Sequence, residues 1–172
     1  MVMTKITSNS VALAGEFAVL SQLALRGYDA NMTLGHTKGV DILVSDPRTD
    51  KMFRLEVKTN FKNSQSSLSK SKLMGTSVSA WIMNEKHETI IDPKLFYCFV
   101  NISKETNAYR FFIVPSDLVA KYVRESHKFW MEADGKHNDG PMRMFRVGVD
   151  DEKYNVETPV AERYENNWEF RV

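Results

Sequence analysis

Polar and apolar positions alternate along this chain with two different periods, and the switches between them outline its elements. From Ser10 to Arg26, Leu13, Phe17, Leu20, Leu23 and Ala24 recur at helical spacing. Ser8 or Ser10 is placed to cap that helix, and Gly27 to stop it. A short extended piece, Tyr28 to Leu34, leads into turn signals at Gly35 to Gly39. Two β-rich runs follow, Val40 to Ser45 and Lys51 to Thr59. They are separated by Asp46-Pro47-Arg48-Thr49-Asp50, a strong turn sequence, and so read as a hairpin.

The pattern weakens from Lys62 to Glu88, which reads as a loop followed by an ill-defined element around Trp81, Ile82 and Met83. It sharpens again in two apolar runs, Leu95 to Ile102 and Tyr109 to Val114, both predicted strands. Pro115-Ser116-Asp117 then opens a helix whose face is marked by Leu118, Val119, Tyr122, Val123 and Phe129, with Ser116 as the expected cap. Glu132 to Pro141 is turn-rich and Met142 to Val149 is a further strand. Thr158-Pro159 predicts a C-terminal helix running through Trp168. Helix, successive strands, helix and tail together predict an α/β domain with a mixed central β-sheet flanked by helices. The 172 residues suit one domain, with a core over about 10–131 and a C-terminal extension over 132–172.

The hairpin carries the candidate chemistry. In its second strand Phe53, Leu55, Val57 and Thr59 share one face, the predicted core face, while Arg54, Glu56, Lys58 and Asn60 share the other. If the hairpin is symmetric about Arg48 and Thr49, Val44 lies opposite Phe53, and Asp41 lies opposite Glu56. Directly opposed carboxylates repel. A divalent cation between them would relieve the repulsion, and Mg²⁺ takes carboxylate oxygens readily. Glu16 is a third displaced carboxylate. Its helical neighbours are Ala12, Leu13, Val19, Leu20 and Leu23, so its partner must come from elsewhere in the fold.

Glu16 in a first helix, Gly39-Val40-Asp41-Ile42-Leu43-Val44, and Leu55-Glu56-Val57-Lys58-Thr59 together resemble the PD-(D/E)XK nuclease superfamily, which includes restriction enzymes, junction resolvases and some homing endonucleases. The resemblance covers about residues 10–60, and Val40 stands where the motif has proline. It implies a restriction-endonuclease-like fold and a Mg²⁺-dependent endonuclease that hydrolyses DNA phosphodiester bonds, with Mn²⁺ as a substitute metal. It further implies that Asp41, Glu56 and the Val57 carbonyl hold the metal. Lys58 would assist the attacking water, and Glu16 would be a further carboxylate of the site. The alternative is a catalytically silent nucleic-acid-binding or assembly subunit with the same fold.

Charge adds a substrate surface. The chain has a formal net charge of +1, which excludes binding nucleic acid by bulk charge alone. Residues 51–72, however, hold Lys51, Arg54, Lys58, Lys62, Lys70 and Lys72 against Glu56, a local +5, whereas residues 132–172 sum to −4. Lys51, Arg54, Asn60, Lys62, Lys70 and Lys72 are therefore candidate contacts to DNA phosphates. A chain this short has little room for a separate recognition domain, so cutting both strands calls for a homodimer or higher homo-oligomer. No apolar run reaches the ~18–20 residues of a membrane span. The single cysteine, Cys98, lies in an apolar run, which points to core packing and a reduced cytoplasmic setting. His127, Glu132, Asp134, His137 and Asp139 cluster in the sequence but match no ligand spacing expected of zinc. Trp130 and Trp168 read as packing residues.

Overall fold

In the computed structural model, residues 5–33, 39–62, 79–149 and 154–170 are described. Helix α1 (Ser8–Ala24) is followed by β1 (Asp29–Met32), β2 (Ile42–Asp46) and β3 (Lys51–Phe61). Next come β4 (Ser79–Asn84), a 3-10 turn (Glu85–Glu88), β5 (Leu95–Ile102) and β6 (Tyr109–Pro115). The chain ends with α2 (Ser116–Ala133), β7 (Met142–Val147) and α3 (Ala161–Tyr164). Five strands form one sheet in the order β1-β2-β3-β5-β6, and β4 pairs with β7 separately. The β3–β5 pair is parallel and its neighbours are antiparallel, so the sheet is mixed as expected.

The crossover between β3 and β5 puts β5 inside the sheet, between β3 and β6, where every one of its residues is buried. Its side chains alternate between two cores. Phe96, Cys98 and Val100 pack with Leu55, Val57, Val19 and Leu23 under α1. Tyr97 and Phe99 pack with Trp81, Val119, Tyr122 and Phe145, from β4, α2 and β7. A parallel strand covered on both faces needs such a continuous apolar run.

The β2–β3 hairpin has the expected register: Val44 lies opposite Phe53 and Ile42 opposite Leu55. Its turn closes through Asp50 N–H donating to Asp46 O at 2.9 Å, with Asp50 in the left-handed region at φ 55°. Arg54, Glu56, Lys58 and Asn60 do share a face: Glu56 and Asn60 are buried on it, with β4 fastened to Asn60, while Arg54 and Lys58 stay partly exposed.

Several expectations are corrected. The cap of α1 is Thr7, whose hydroxyl accepts from Ser10 N–H, rather than Ser8 or Ser10. Gly27 does supply the left-handed stop, at φ 77°. The buried face of α1 is Gly15, Val19 and Leu23, whereas Leu13 and Phe17 are exposed. The helix is apolar around most of its circumference, so periodicity alone could not choose the face. Close approach chose it: a Cβ on Gly15 would stand only 1.9 Å from Thr59 Oγ1. Ser116 does not cap α2. Its hydroxyl instead accepts from Asp92 N–H and donates to Asp92 O, both at 2.8 Å. The predicted C-terminal helix shrinks to Ala161–Tyr164. Beyond it, Asn166 and Phe170 adopt positive φ, which breaks the helix and lets Trp168 and Phe170 enter the core beside Phe111 and Phe53. The ill-defined stretch contains strand β4, tied down by Trp81 Nε1–H donating to Val100 O at 2.9 Å. No helix among the described residues is long and apolar enough to cross a membrane.

Candidate functional site

The site forms where β2 stops short of β3. The last paired residue of β2 is Ile42, while β3 continues to Phe61, which among the described residues leaves one edge of β3 open from Glu56 onward. Asp41 fills the step. Its N–H donates to Leu55 O at 2.8 Å, and its Oδ2 accepts from Val57 N–H at 2.6 Å. A residue's N–H and carbonyl lie on the same side of a strand, so the Val57 carbonyl also faces this open edge.

Glu56 is the centre of the arrangement, with 2% of its surface exposed. Its Oε1 receives Lys58 Nζ at 2.6 Å and His87 Nε2 at 3.1 Å. Among the described residues no hydrogen-bond partner meets its buried Oε2, and a Cβ on Gly39 would lie 3.4 Å from it. Burial acts to raise the Glu56 pKa. The His87 hydrogen bond and the Lys58 charge outweigh it and hold the carboxyl down at about 2. The Glu56 side chain is therefore an anion at neutral pH. Beneath it lies Tyr97, its register partner on β5. The Tyr97 phenol is pushed up by burial, then by the negative charge of Glu56, and further because its hydroxyl faces that carboxylate at hydrogen-bonding range.

The neighbouring carboxylates shift the other way. Asp41 is raised, chiefly by burial. The Val57 N–H and Lys58 act against that shift, Glu56 adds to it, and Lys86 also lowers it. Glu16, half-buried on α1, is raised by burial and then by the charge of Asp41. The fold thus brings Glu16, Asp41, Glu56, the Val57 backbone and Lys58 into one neighbourhood. It adds Lys86 and His87 from the 3-10 turn, which the sequence reading did not single out. The available signal was the spacing Asn84-x-x-His87. It forms a capping box in which the His87 ring receives Asn84 N–H and Asn84 Oδ1 receives a backbone N–H of the turn.

The proposed DNA contacts are dispersed. Lys51 is exposed at the turn end of β3, roughly 23 Å along an extended strand from Lys58. Arg54 is paired with Asp92. Asn60 is buried, and its amide donates to Ser79 Oγ at 3.1 Å and Ala80 O at 3.0 Å, which fastens β4 to β3. Lys62 is exposed at the far end of β3. Lys70 and Lys72 lie outside the described residues. In the His127 cluster both His127 and His137 stack on Trp130, and His127 also meets Asp139 at 2.9 Å.

Among the described residues no three His, Cys, Asp or Glu side chains are grouped to enclose a metal ion. A Mg²⁺ ion commonly needs only one or two carboxylates and keeps several waters. The unpartnered Glu56 Oε2, with Asp41 and an edge-facing carbonyl nearby, has the hard-oxygen chemistry of such a site.

No protein-family model matches the chain, and no curated protein matches it. Among solved structures it is similar to a bacterial homing endonuclease, I-Ssp6803I, at 13% identity and a TM-score of 0.49, over 95% of this chain and 90% of that one.

Proposed function

We propose that this chain is a Mg²⁺-dependent DNA endonuclease of the PD-(D/E)XK kind, with Mn²⁺ able to replace Mg²⁺. One observation carries the reading. Glu56 is a buried, ionised carboxylate with an unpartnered oxygen, set beside Asp41 and Lys58 at the open edge of β3. Lys58 and His87 both engage Oε1, so the two cationic or N–H donors of the cluster leave Oε2 for another partner.

In this reading Asp41, Glu56 and the Val57 carbonyl hold the metal, and Glu16 adds negative charge behind Asp41. When bound, the metal would lower the pKa of a water and offset charge on the phosphodiester. The protein supplies the rest. The Val57 N–H fixes the rotation of the Asp41 carboxylate. The Lys58 ammonium, about a quarter exposed, reaches from Glu56 toward solvent, where it can orient the attacking water and balance charge on the phosphate. Exposed Lys62 lies next along β3 for backbone contact, and Lys70 and Lys72 are proposed to extend that contact. Cutting both strands of a duplex would require two copies, one site per strand.

The test is cleavage of supercoiled, linear and branched DNA with Mg²⁺ or Mn²⁺, alongside Lys58→Ala. We expect metal-dependent cleavage that falls by a factor of ~100 or more in the variant. Equal cleavage by Lys58→Ala, or no cleavage of any substrate, would falsify the reading. Salt-sensitive DNA binding without turnover would favour the catalytically silent subunit instead.

A further inference from the structure

His87 has no part in the chemistry proposed above, yet it is held more tightly than a surface histidine could be. Only 2% of it is exposed. Its Nδ1 accepts from Asn84 N–H at 3.1 Å in the capping box, which sets the ring's orientation. Its edge meets the Tyr97 ring at 5.7 Å and 66°. Its Nε2 is 3.1 Å from Glu56 Oε1. An ionised carboxylate can only accept, so Nε2 carries a proton and donates it to Glu56.

The rotation of a glutamate carboxylate about its last bond is soft and roughly two-fold. Lys58 alone would not fix it, because an ammonium on a four-carbon stem can follow the carboxylate as it turns. The His87 ring is rigid and anchored at both nitrogens. Together they place both donors on Oε1 and leave Oε2 toward Gly39.

We infer that His87 is a positioning residue that locks the Glu56 carboxylate so that Oε2 is presented to a divalent cation. The inference rests on the metal-site reading above. Partners of metal-binding groups that act this way typically change metal affinity by ~10–100-fold when removed.

The experiment measures Mn²⁺ binding to the full chain by electron paramagnetic resonance, without DNA, with melting curves in metal-free buffer. Two variants separate positioning from bracing. His87→Phe keeps a ring against Tyr97 but has no donor, and His87→Gln restores an N–H near the Nε2 position. We expect the Mn²⁺ Kd to rise by ~10–100-fold in His87→Phe and to stay within about threefold of the parent in His87→Gln. Unchanged Mn²⁺ affinity in His87→Phe overturns the inference and leaves the nuclease reading standing. Equal loss of affinity in both variants, tracking an equal loss of melting temperature, also overturns it and makes His87 a core brace. A parent chain that binds no Mn²⁺ breaks the metal-site reading itself, and this inference with it.

Discussion

At the turn end of the β2–β3 hairpin, Arg48 Nε reaches Asp46 at 2.9 Å, Arg54 pairs with Asp92, and Arg48 lies over the Tyr28 ring at 5.0 Å. At the other end of the same hairpin, Lys58 reaches Glu56 at 2.6 Å and His87 meets it from the far side. Both ends pair acids with bases, and in both the acid is lowered. The causes differ. Asp46 is lowered chiefly by hydrogen bonding from Arg48, whose own guanidinium is largely exposed. Glu56 is lowered against a burial effect larger than any single favourable contact. At the turn end Asp46 and Arg54 each have an oppositely charged partner, and Arg48 and Lys51 are exposed. At the open edge of β3 three carboxylates converge, two of them with raised pKa, and Lys58 and His87 share one oxygen of the third. Charge pattern along a strand does not distinguish these ends. Burial and convergence from other elements do.

The largest expected effect that would sharpen this contrast is on acid stability. Glu56 has a folded-state pKa below its ordinary value, so its contribution is present above the unfolded pKa and is lost as pH falls from roughly 5 toward 2. In metal-free buffer, Glu56→Gln should cost about 3 kcal/mol at pH 7 and approach the parent near pH 2, because it leaves Lys58 and His87 facing an uncharged partner. Denaturant melts over that pH range measure it. A constant gap between the two proteins at all pH values would remove the distinction between the two ends.

Asp41 and Glu16 should behave in the opposite sense. Their folded-state pKa values are raised, so ionisation at neutral pH opposes folding, and the penalty disappears as pH falls below the unfolded carboxylate range. In metal-free buffer, Asp41→Asn and Glu16→Gln should melt at or slightly above the parent temperature at pH 7, and should lose that gain in acid. An amide oxygen at residue 41 can still accept from Val57 N–H, so the backbone contact survives the change. Clear destabilisation by both variants at pH 7 would mean that these carboxylates are structural.

The smallest effect belongs to the turn end. Lys51→Ala and Arg54→Ala should each change DNA affinity by no more than about threefold at physiological salt, because neither lies near Lys58 and Arg54 is already paired. Filter binding over a salt series checks this. A tenfold loss from either would extend the DNA path back to the turn.

Local pattern decided much of this molecule. The turn sequence between Asp46 and Asp50, with two alternating runs around it, set the hairpin register, because a one-residue slip would turn every side chain to the wrong face. The pairing ends at Ile42, and Asp41, expected directly opposite Glu56, instead bonds the Leu55 carbonyl and the Val57 N–H on either side of it. The apolar run of β5 likewise announced a strand, and the fold buries it along its whole length. Tertiary structure decided the rest. Periodicity left the buried side of α1 open, and contact between Gly15 and Thr59 settled it. The sequence placed Asn60 on the charged face and so among the DNA contacts, but β4 packs over that face and takes up its amide. The basic stretch read as one surface, yet an extended strand spaces its cations along its length and separates Lys51 from Lys58. His87 was illegible for the same reason. It is 31 residues from Glu56 in sequence, and only the crossover that pairs β3 with β5 and lays β4 above them closes that distance to 3.1 Å. Pattern along the chain chooses the face and register of each strand. Which faces are covered, and by whom, depends on contacts between segments that share no local signal.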